Sequence, residues 1–189
     1  MSDIKTEGLT FVPFMQEEKT KLIDWLTSDR WDFYVDPTPT RDKFSSAIDE
    51  GDYHSDECRT FWIRDSLTDK NVGLIRIYDL LDESAMFDLR VKTESRGNGI
   101  GKQAVRWLTA HVFNTYPKII RIEGQTREDN IAMRKVFRSC GYLKEAHYRA
   151  CWQNESNEYL DSIGYGILKS DFENGTVTPV QWDDEASFS

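Results

Sequence analysis

The stretch "SRGNGIGKQA", residues 95–104, places glycine at three alternating positions, Gly97, Gly99 and Gly101. Glycine is costly inside regular structure, so this spacing marks a bend whose backbone must come close to something. The preceding run "SAMFDLRV" (84–91) reads as a strand. The following one repeats apolar residues at Ile100, Ala104, Leu108 and Val112, an amphipathic helix that ends near Pro117. Next comes "KIIRIEGQT" (118–126), another strand, so the bend opens a strand–helix–strand crossover whose two strands should be parallel.

Three phosphate-cradling patterns compete for the bend. A P-loop needs glycine at 96 and a hydroxyl at 103, where the chain has Arg96 and Gln103. The dinucleotide fingerprint starts correctly at Gly97 and Gly99 but needs glycine at 102, which is Lys102. The third pattern, [RQ]-x-x-G-x-[GA] between strand and helix, is met in full by Arg96, Gly99 and Gly101. Its chemistry is an anion site at a helix start, where outward N–H groups and the helix dipole meet a phosphate that missing Cβ atoms let approach. A tight turn with no ligand is the competing reading of the same residues.

Working outward, "LTFVPF" (9–14) is a strand, and "EEKTKLIDWLTS" (17–28) gathers Leu22, Ile23 and Leu26 on one helical face. An aromatic loop, "DRWDFYVDPTPT", leads to a helix capped by Thr40 and closed by Gly51. "TFWIRD" and "NVGLIRIYDL" flank a polar turn and form a hairpin. After the crossover, Asp129 or Asn130 caps the helix "IAMRKVFRSC", which Gly141 ends. Two last strands, "YLKEAHYRACW" and "EYLDSIGYGILK", face each other across "QNESN". These elements make one α+β (mixed α/β) domain over residues 1–172: a mostly antiparallel sheet of about seven strands with four helices. Residues 173–189 are a tail, either a short added strand or flexible.

The 189 residues fit a single domain, and the 39% hydrophobic and 13% aromatic content suffices for a core. A net charge of −9 argues against nucleic acid and anionic membranes as partners and suits a cationic one. No stretch looks like a secretory leader or a membrane span. Three cysteines, Cys58, Cys140 and Cys151, have neither the count nor the spacing of a disulfide framework or a zinc site. A cytoplasmic location and no metal are therefore the expectations.

"RGNGIGKQAVRWL" followed by "TREDNIAMRKVFRSCGY" resembles the GNAT superfamily of acyl-CoA-dependent N-acetyltransferases over residues 7–172. The ending "YLDSIGYGIL" is similar to the RimJ/RimL-type branch, which acetylates protein N-termini and related amines. The resemblance implies acetyl-CoA lying between two splayed parallel strands. Its pyrophosphate would rest on the bend at Gly97, Asn98, Gly99, Ile100 and Gly101, with Arg96 and Lys102 assisting. Backbone groups of Leu89 and Val91 would pair with the pantetheine, and Asn130 would hydrogen-bond it. By family analogy the chain would form a homodimer.

Acetyl transfer needs a neutral amine, a polarised thioester carbonyl and a proton for the departing thiolate. The side chains the resemblance leads one to expect for the first and third are missing, because their positions hold Gln125, Met133 and Phe137. Glu123, on the same strand face as Gln125, and His147 are the remaining candidates for base. The acceptor pocket is expected from Trp31, Phe33 and Tyr34 in the aromatic loop and from Tyr148 and Asp161 in the last hairpin. A lysine-like amine with pKa about 10.4 is almost wholly charged at pH 7, whereas an α-amine at about 7.7–8.0 is roughly a tenth neutral. A site without a strong base therefore favours a protein N-terminal α-amine. A small cationic amine, such as an aminoglycoside or polyamine, is the alternative within the class. A non-catalytic acyl-CoA sensor is the alternative outside it.

Overall fold

The computed structural model describes residues 8–182. Its elements are β1 Leu9–Pro13, α1 Lys19–Thr27, α2 Arg41–Asp49, β2 Arg59–Asp65, β3 Asn71–Tyr78, β4 Ser84–Val91, α3 Ile100–Thr115, β5 Arg121–Arg127, α4 Ile131–Ser139, β6 Leu143–Gln153, β7 Tyr159–Leu168 and α5 Lys169–Asn174. Single 3-10 turns at Gln16–Glu18 and Thr93–Ser95 precede α1 and the glycine bend. The seven strands form one sheet in the order β1-β2-β3-β4-β5-β7-β6. Every pairing is antiparallel except β4 with β5, the two strands joined through α3.

The hydrophobic pattern splits the molecule into three layers. Ala85 and Phe87 of β4, Ile122 of β5, and Ile163, Tyr165 and Ile167 of β7 pack under α3 and α4. On the opposite face, Trp62 of β2 and Leu74 of β3 pack under Leu22, Ile23 and Leu26 of α1 and Phe44 and Ile48 of α2. Strand alternation then turns Asp88 and Arg90 of β4, Gln125 and Arg127 of β5, and Ser162 of β7 toward the α1/α2 side. Capping follows the sequence, since the Thr40 hydroxyl accepts from the Lys43 N–H at 3.3 Å and Gly51 takes φ +91°.

The structure has five helices where the sequence leads one to expect four. α5 carries a single apolar side chain facing the core, Phe172, and six residues are too few to show a helical period. It also runs past the expected domain boundary at residue 172. Asp171 holds the next residues down, accepting from the Thr178 N–H at 3.0 Å and from the Thr176 and Thr178 hydroxyls at 2.9 and 2.8 Å. Residues 176–182 of the expected tail are coil, with no added strand among them, and residues 183–189 lie outside the described residues. No helix among the described residues is long and apolar enough to cross a membrane.

Candidate active site

β4 and β5 pair at only three positions, Ser84 with Arg121, Ala85 with Ile122 and Met86 with Glu123. Beyond them β4 continues to Val91 and β5 to Arg127 without backbone pairing, so the sheet opens into a fork. β5 at this level is bonded on its other edge, Gln125 to Gly164 and Arg127 to Ser162 of β7. On β4, the Lys92 N–H bonds the Val72 carbonyl of β3 at 2.9 Å. Strand alternation then leaves the backbone groups of Leu89 and Val91 facing the fork. Both carbonyls are held there by side chains. The Tyr34 hydroxyl lies 2.9 Å from the Leu89 oxygen, and Arg96 Nε donates to the Val91 oxygen at 3.1 Å.

The glycine bend closes the fork's wide end. Gly97 and Gly99 adopt φ +82° and +76°, and a Cβ built on either would meet no atom within 4 Å. Gly99 is the N-cap of α3 and offers no side-chain acceptor. The first-turn N–H groups of a sixteen-residue helix, beginning at Ile100 and Gly101, therefore point outward with neither an intrahelical nor a capping partner. The Asn98 amide folds back onto the Ser95 and Arg96 carbonyls at 3.3 and 3.4 Å. The bend rests against its supports at Gly101, where a Cβ would lie at ordinary contact distances, 3.6 Å from Val136 and 3.9 Å from Leu89. An open, uncapped and glycine-lined helix start at the end of an unpaired strand edge fits a diphosphate with an amide-bearing arm. Gly97 to Gly101 would hold the diphosphate, with Leu89 and Val91 along the arm.

Two expected cofactor contacts are otherwise engaged. Asn130 caps α4, its Oδ1 accepting from the Met133 N–H at 3.1 Å while its Nδ2 donates to the Thr126 hydroxyl at 3.0 Å. Arg96 leans away from the bend, toward the Arg30 carbonyl at 3.5 Å and Asp32 at 3.9 Å, although its chain position would let it swing back. Lys102 sits in the first turn of α3, its carbonyl 3.6 Å from the Cys140 sulfur.

The expected acid–base residues sit apart from each other. Glu123 stands at the last bonded rung of the fork and is ion-paired with Arg121 at 2.6 Å, which also binds Glu145. Its other oxygen lies 3.3 Å from the Gln125 amide. His147 pairs across the hairpin with Ile163, whose side chain belongs to the core under α3 and α4. It therefore lies on the opposite sheet face from Gln125. There it meets Asp161 at 2.6 Å, so Asp161 is no part of a pocket on the α1/α2 side. The Ala150 N–H and His147 hold the Asp161 carboxyl below its ordinary range. Glu128, His147 and Asp161 bring three donor atoms within 4.8 Å of one another, a grouping sequence reasoning missed. Its carboxylates already accept from the Ala150 and Asp161 N–H groups and from His147.

Of the expected acceptor residues, Tyr34, Phe33 and Tyr148 gather on the α1/α2 side. Phe33 lies under the Arg127 guanidinium at 5.2 Å, and Tyr148 packs beside the bare Gly164. Trp31 does not join them. It is 1% exposed, stacks on Trp25 at 5.3 Å and donates its indole N–H to the Leu26 carbonyl at 2.7 Å, so it is core. A cavity of about 490 Å³ opens on this side, floored by Gln125 and Ser162, walled by Trp152 and covered by Val35.

Sequence reasoning missed the charges around Tyr34. Arg90 and Arg76 flank Asp88 at 3.6 and 3.9 Å, and the Arg90 guanidinium stacks 3.8 Å from the Tyr34 ring centre. Tyr34 bonds Asp88, and burial together with that carboxylate pushes its hydroxyl pKa well above the ordinary tyrosine value. The signal was legible in "FDLRV", where two charged residues alternate inside an otherwise apolar strand.

No curated protein matches the chain. Among solved structures it is similar to a spermidine N-acetyltransferase from Vibrio cholerae in complex with CoA and spermine. That likeness has a TM-score of 0.77 and 18% identity over 89% of this chain and 100% of that one. A dodecameric structure of spermidine N-acetyltransferase from the same organism gives 0.74 and 19% over 90% and 99%. The model of the acetyltransferase (GNAT) domain matches residues 8–143, the span that holds both strands of the fork, the bend and α4. Fork, bend and family agree: the chain belongs to the GNAT acetyltransferases and is an acetyl-CoA-dependent N-acetyltransferase.

Proposed function

We propose that the acceptor is a primary amine that reaches the fork from the α1/α2 side, through the cavity over Gln125, and that it is a low-pKa amine such as the α-amine of a protein N-terminus. One observation carries this reading: the carboxylates at the fork, Glu123 and Asp88, are both ion-paired and so poorly placed to act as base. Glu123 is ion-paired with Arg121, which it shares with Glu145, its neighbour up the fork is the amide Gln125, and Asp88 faces two guanidiniums. The amine must come neutral or nearly so, which an α-amine does far more readily than an alkylammonium. Acetyl-CoA supplies the acyl group and its leaving thiolate. The protein aligns the arm along Leu89 and Val91 and holds the diphosphate at the bend.

The closing strand "YLDSIGYGIL", similar to the RimJ/RimL-type branch, supports the same acceptor class. A second reading has a finding of its own behind it. The similar solved structures are spermidine N-acetyltransferases, which favours a small cationic amine over a protein N-terminus. Thiol release from acetyl-CoA, followed with N-terminal peptides and with spermidine in parallel, separates the two. Peptide turnover that rises with pH and levels near the α-amine pKa is the expected outcome. Saturating turnover of spermidine with inert peptides overturns the first reading in favour of the second.

A further inference from the structure

The cavity over Gln125 contains two hydrogen-bonding side chains that nothing satisfies. Ser162 is 1% exposed and its hydroxyl has no partner among the described residues. Trp152 Nε1 is likewise buried and unpartnered. Both line the same cavity, and the strand pairings explain why. Ser162 lies opposite Arg127 on β5 and Tyr148 on β6, while Trp152 pairs with Leu160, two residues back on the same face of β7. Most buried polar atoms in a folded protein find partners, so two orphans on side chains that line one cavity point to something that binds there.

The types of group narrow what that is. An indole N–H can only donate, and a hydroxyl can donate or accept. Trp152 therefore needs an oxygen or another lone-pair atom on the ligand. A protonated polyamine offers N–H donors and no acceptor, so it would leave the indole N–H unmet. Charge points the same way. Of the residues lining the cavity only Glu155 is ionised, and it is already bound to Arg30. A polycation would find little to neutralise it, whereas a singly charged or neutral amine with a carbonyl or hydroxyl would be matched.

We propose that Trp152 Nε1 and the Ser162 hydroxyl select an acceptor that carries a hydrogen-bond-accepting oxygen close to its primary amine, as the first carbonyl of a peptide does. The inference rests on the acceptor entering through this cavity. Val35, 79% exposed and at the cavity mouth, allows that premise to be tested separately.

The experiment measures kcat and KM for alanine amide and for propylamine, with acetyl-CoA saturating, in the wild-type protein and in Trp152→Phe, Ser162→Ala and Val35→Trp. Trp152→Phe removes the N–H together with the five-membered half of the indole, and propylamine reports what the smaller ring costs by itself. KM for alanine amide is expected to rise about tenfold more than KM for propylamine, the loss of one well-placed hydrogen bond. Comparing each variant with wild type on the same amine cancels the difference in amine pKa. Ser162→Ala is expected to act in the same direction. Val35→Trp is expected to raise KM for both amines while coenzyme A affinity, read by calorimetry, stays as in wild type. If Val35→Trp changes neither KM, the placement of the acceptor is wrong and the inference goes with it. If Val35→Trp acts on both amines but Trp152→Phe affects them equally or not at all, the placement stands and the selection by Trp152 is refuted.

Discussion

At the scale of single residues, the bend and Glu123 make opposite demands on mutagenesis. Gly97 and Gly99 sit in left-handed conformations with nothing beside their missing side chains, so alanine at either would place a methyl in the open space facing the anion site. The strained backbone costs stability of about 1 kcal/mol. The larger effect should fall on the cofactor, with Gly99→Ala weakening coenzyme A affinity about tenfold in calorimetry. Unchanged affinity in both glycine variants would remove the bend from the cofactor site. Glu123 should behave differently. A general base contributes about 10²–10⁴-fold to rate, but an ion-paired carboxylate does not act as one, so Glu123→Gln is expected to lower kcat by no more than about threefold. A loss of two or more powers of ten would make Glu123 the base after all. The identity of Glu123's partner was beyond sequence reasoning, because Arg121 is close in the chain but Glu145 completes the pair from another strand.

At the scale of elements, the strands and the four longer helices were legible because each carries a clear period or cap, as "SAMFDLRV" and Thr40 do. The fork was legible only through resemblance. Nothing in "RIEGQTR" says that β5 leaves β4 after Glu123, since splaying depends on what packs between them. Gly124 shows that packing. A Cβ there would lie 2.6 Å from the tip of the Phe137 ring and 3.0 Å from Phe87, so α4 presses its aromatic ring against bare backbone where β5 begins to diverge. Phe137 in turn stacks on Tyr165 of β7 at 4.6 Å. Gly124→Ala should therefore overpack this junction and destabilise the protein by about 1–3 kcal/mol, seen as a lower urea midpoint with the slope unchanged. Shortening the ring in Gly124→Ala/Phe137→Leu should recover part of that loss, a non-additivity that identifies the clash as the cause. Two strictly additive effects would mean that the strand, not the ring, yields. His147, expected as a base, and Asp161, expected in the acceptor pocket, lie on the other sheet face for a related reason. Their facing depends on hairpin register, and β6 has irregularities between Lys144 and Ala146 and between Tyr148 and Trp152 that no alternation rule anticipates.

At the scale of the whole molecule, tyrosines brace both layers against the sheet, and this sets how the fold meets alkali. Tyr34 and Tyr53 lie in the α1/α2 layer around Asp88, Arg76 and Arg90. Tyr142 lies in the other layer, its hydroxyl 2.9 Å from that of Thr109. Burial raises all three pKa values, that of Tyr53 to about 12, with Asp88 adding to the rise at Tyr34 and Tyr53. In the unfolded chain the same groups ionise near a pH of about 10. Above that pH the unfolded state holds fewer protons than the native one, so these tyrosines contribute their full stability below pH of about 10 and lose it as pH climbs toward their folded values. Thermal melts should thus be flat in mildly alkaline buffer and fall steeply beyond that point. Phenolate absorbance from Tyr34, Tyr53 and Tyr142 should appear only as circular dichroism is lost. Because the bracing tyrosines stand in both layers, the two cores should give way together in one cooperative transition. Ionisation of Tyr34 and Tyr53 near pH of about 10, with the fold intact, would show that the α1/α2 layer is not sealed against the sheet. That result would also mean that the acceptor side of the fork is open to water.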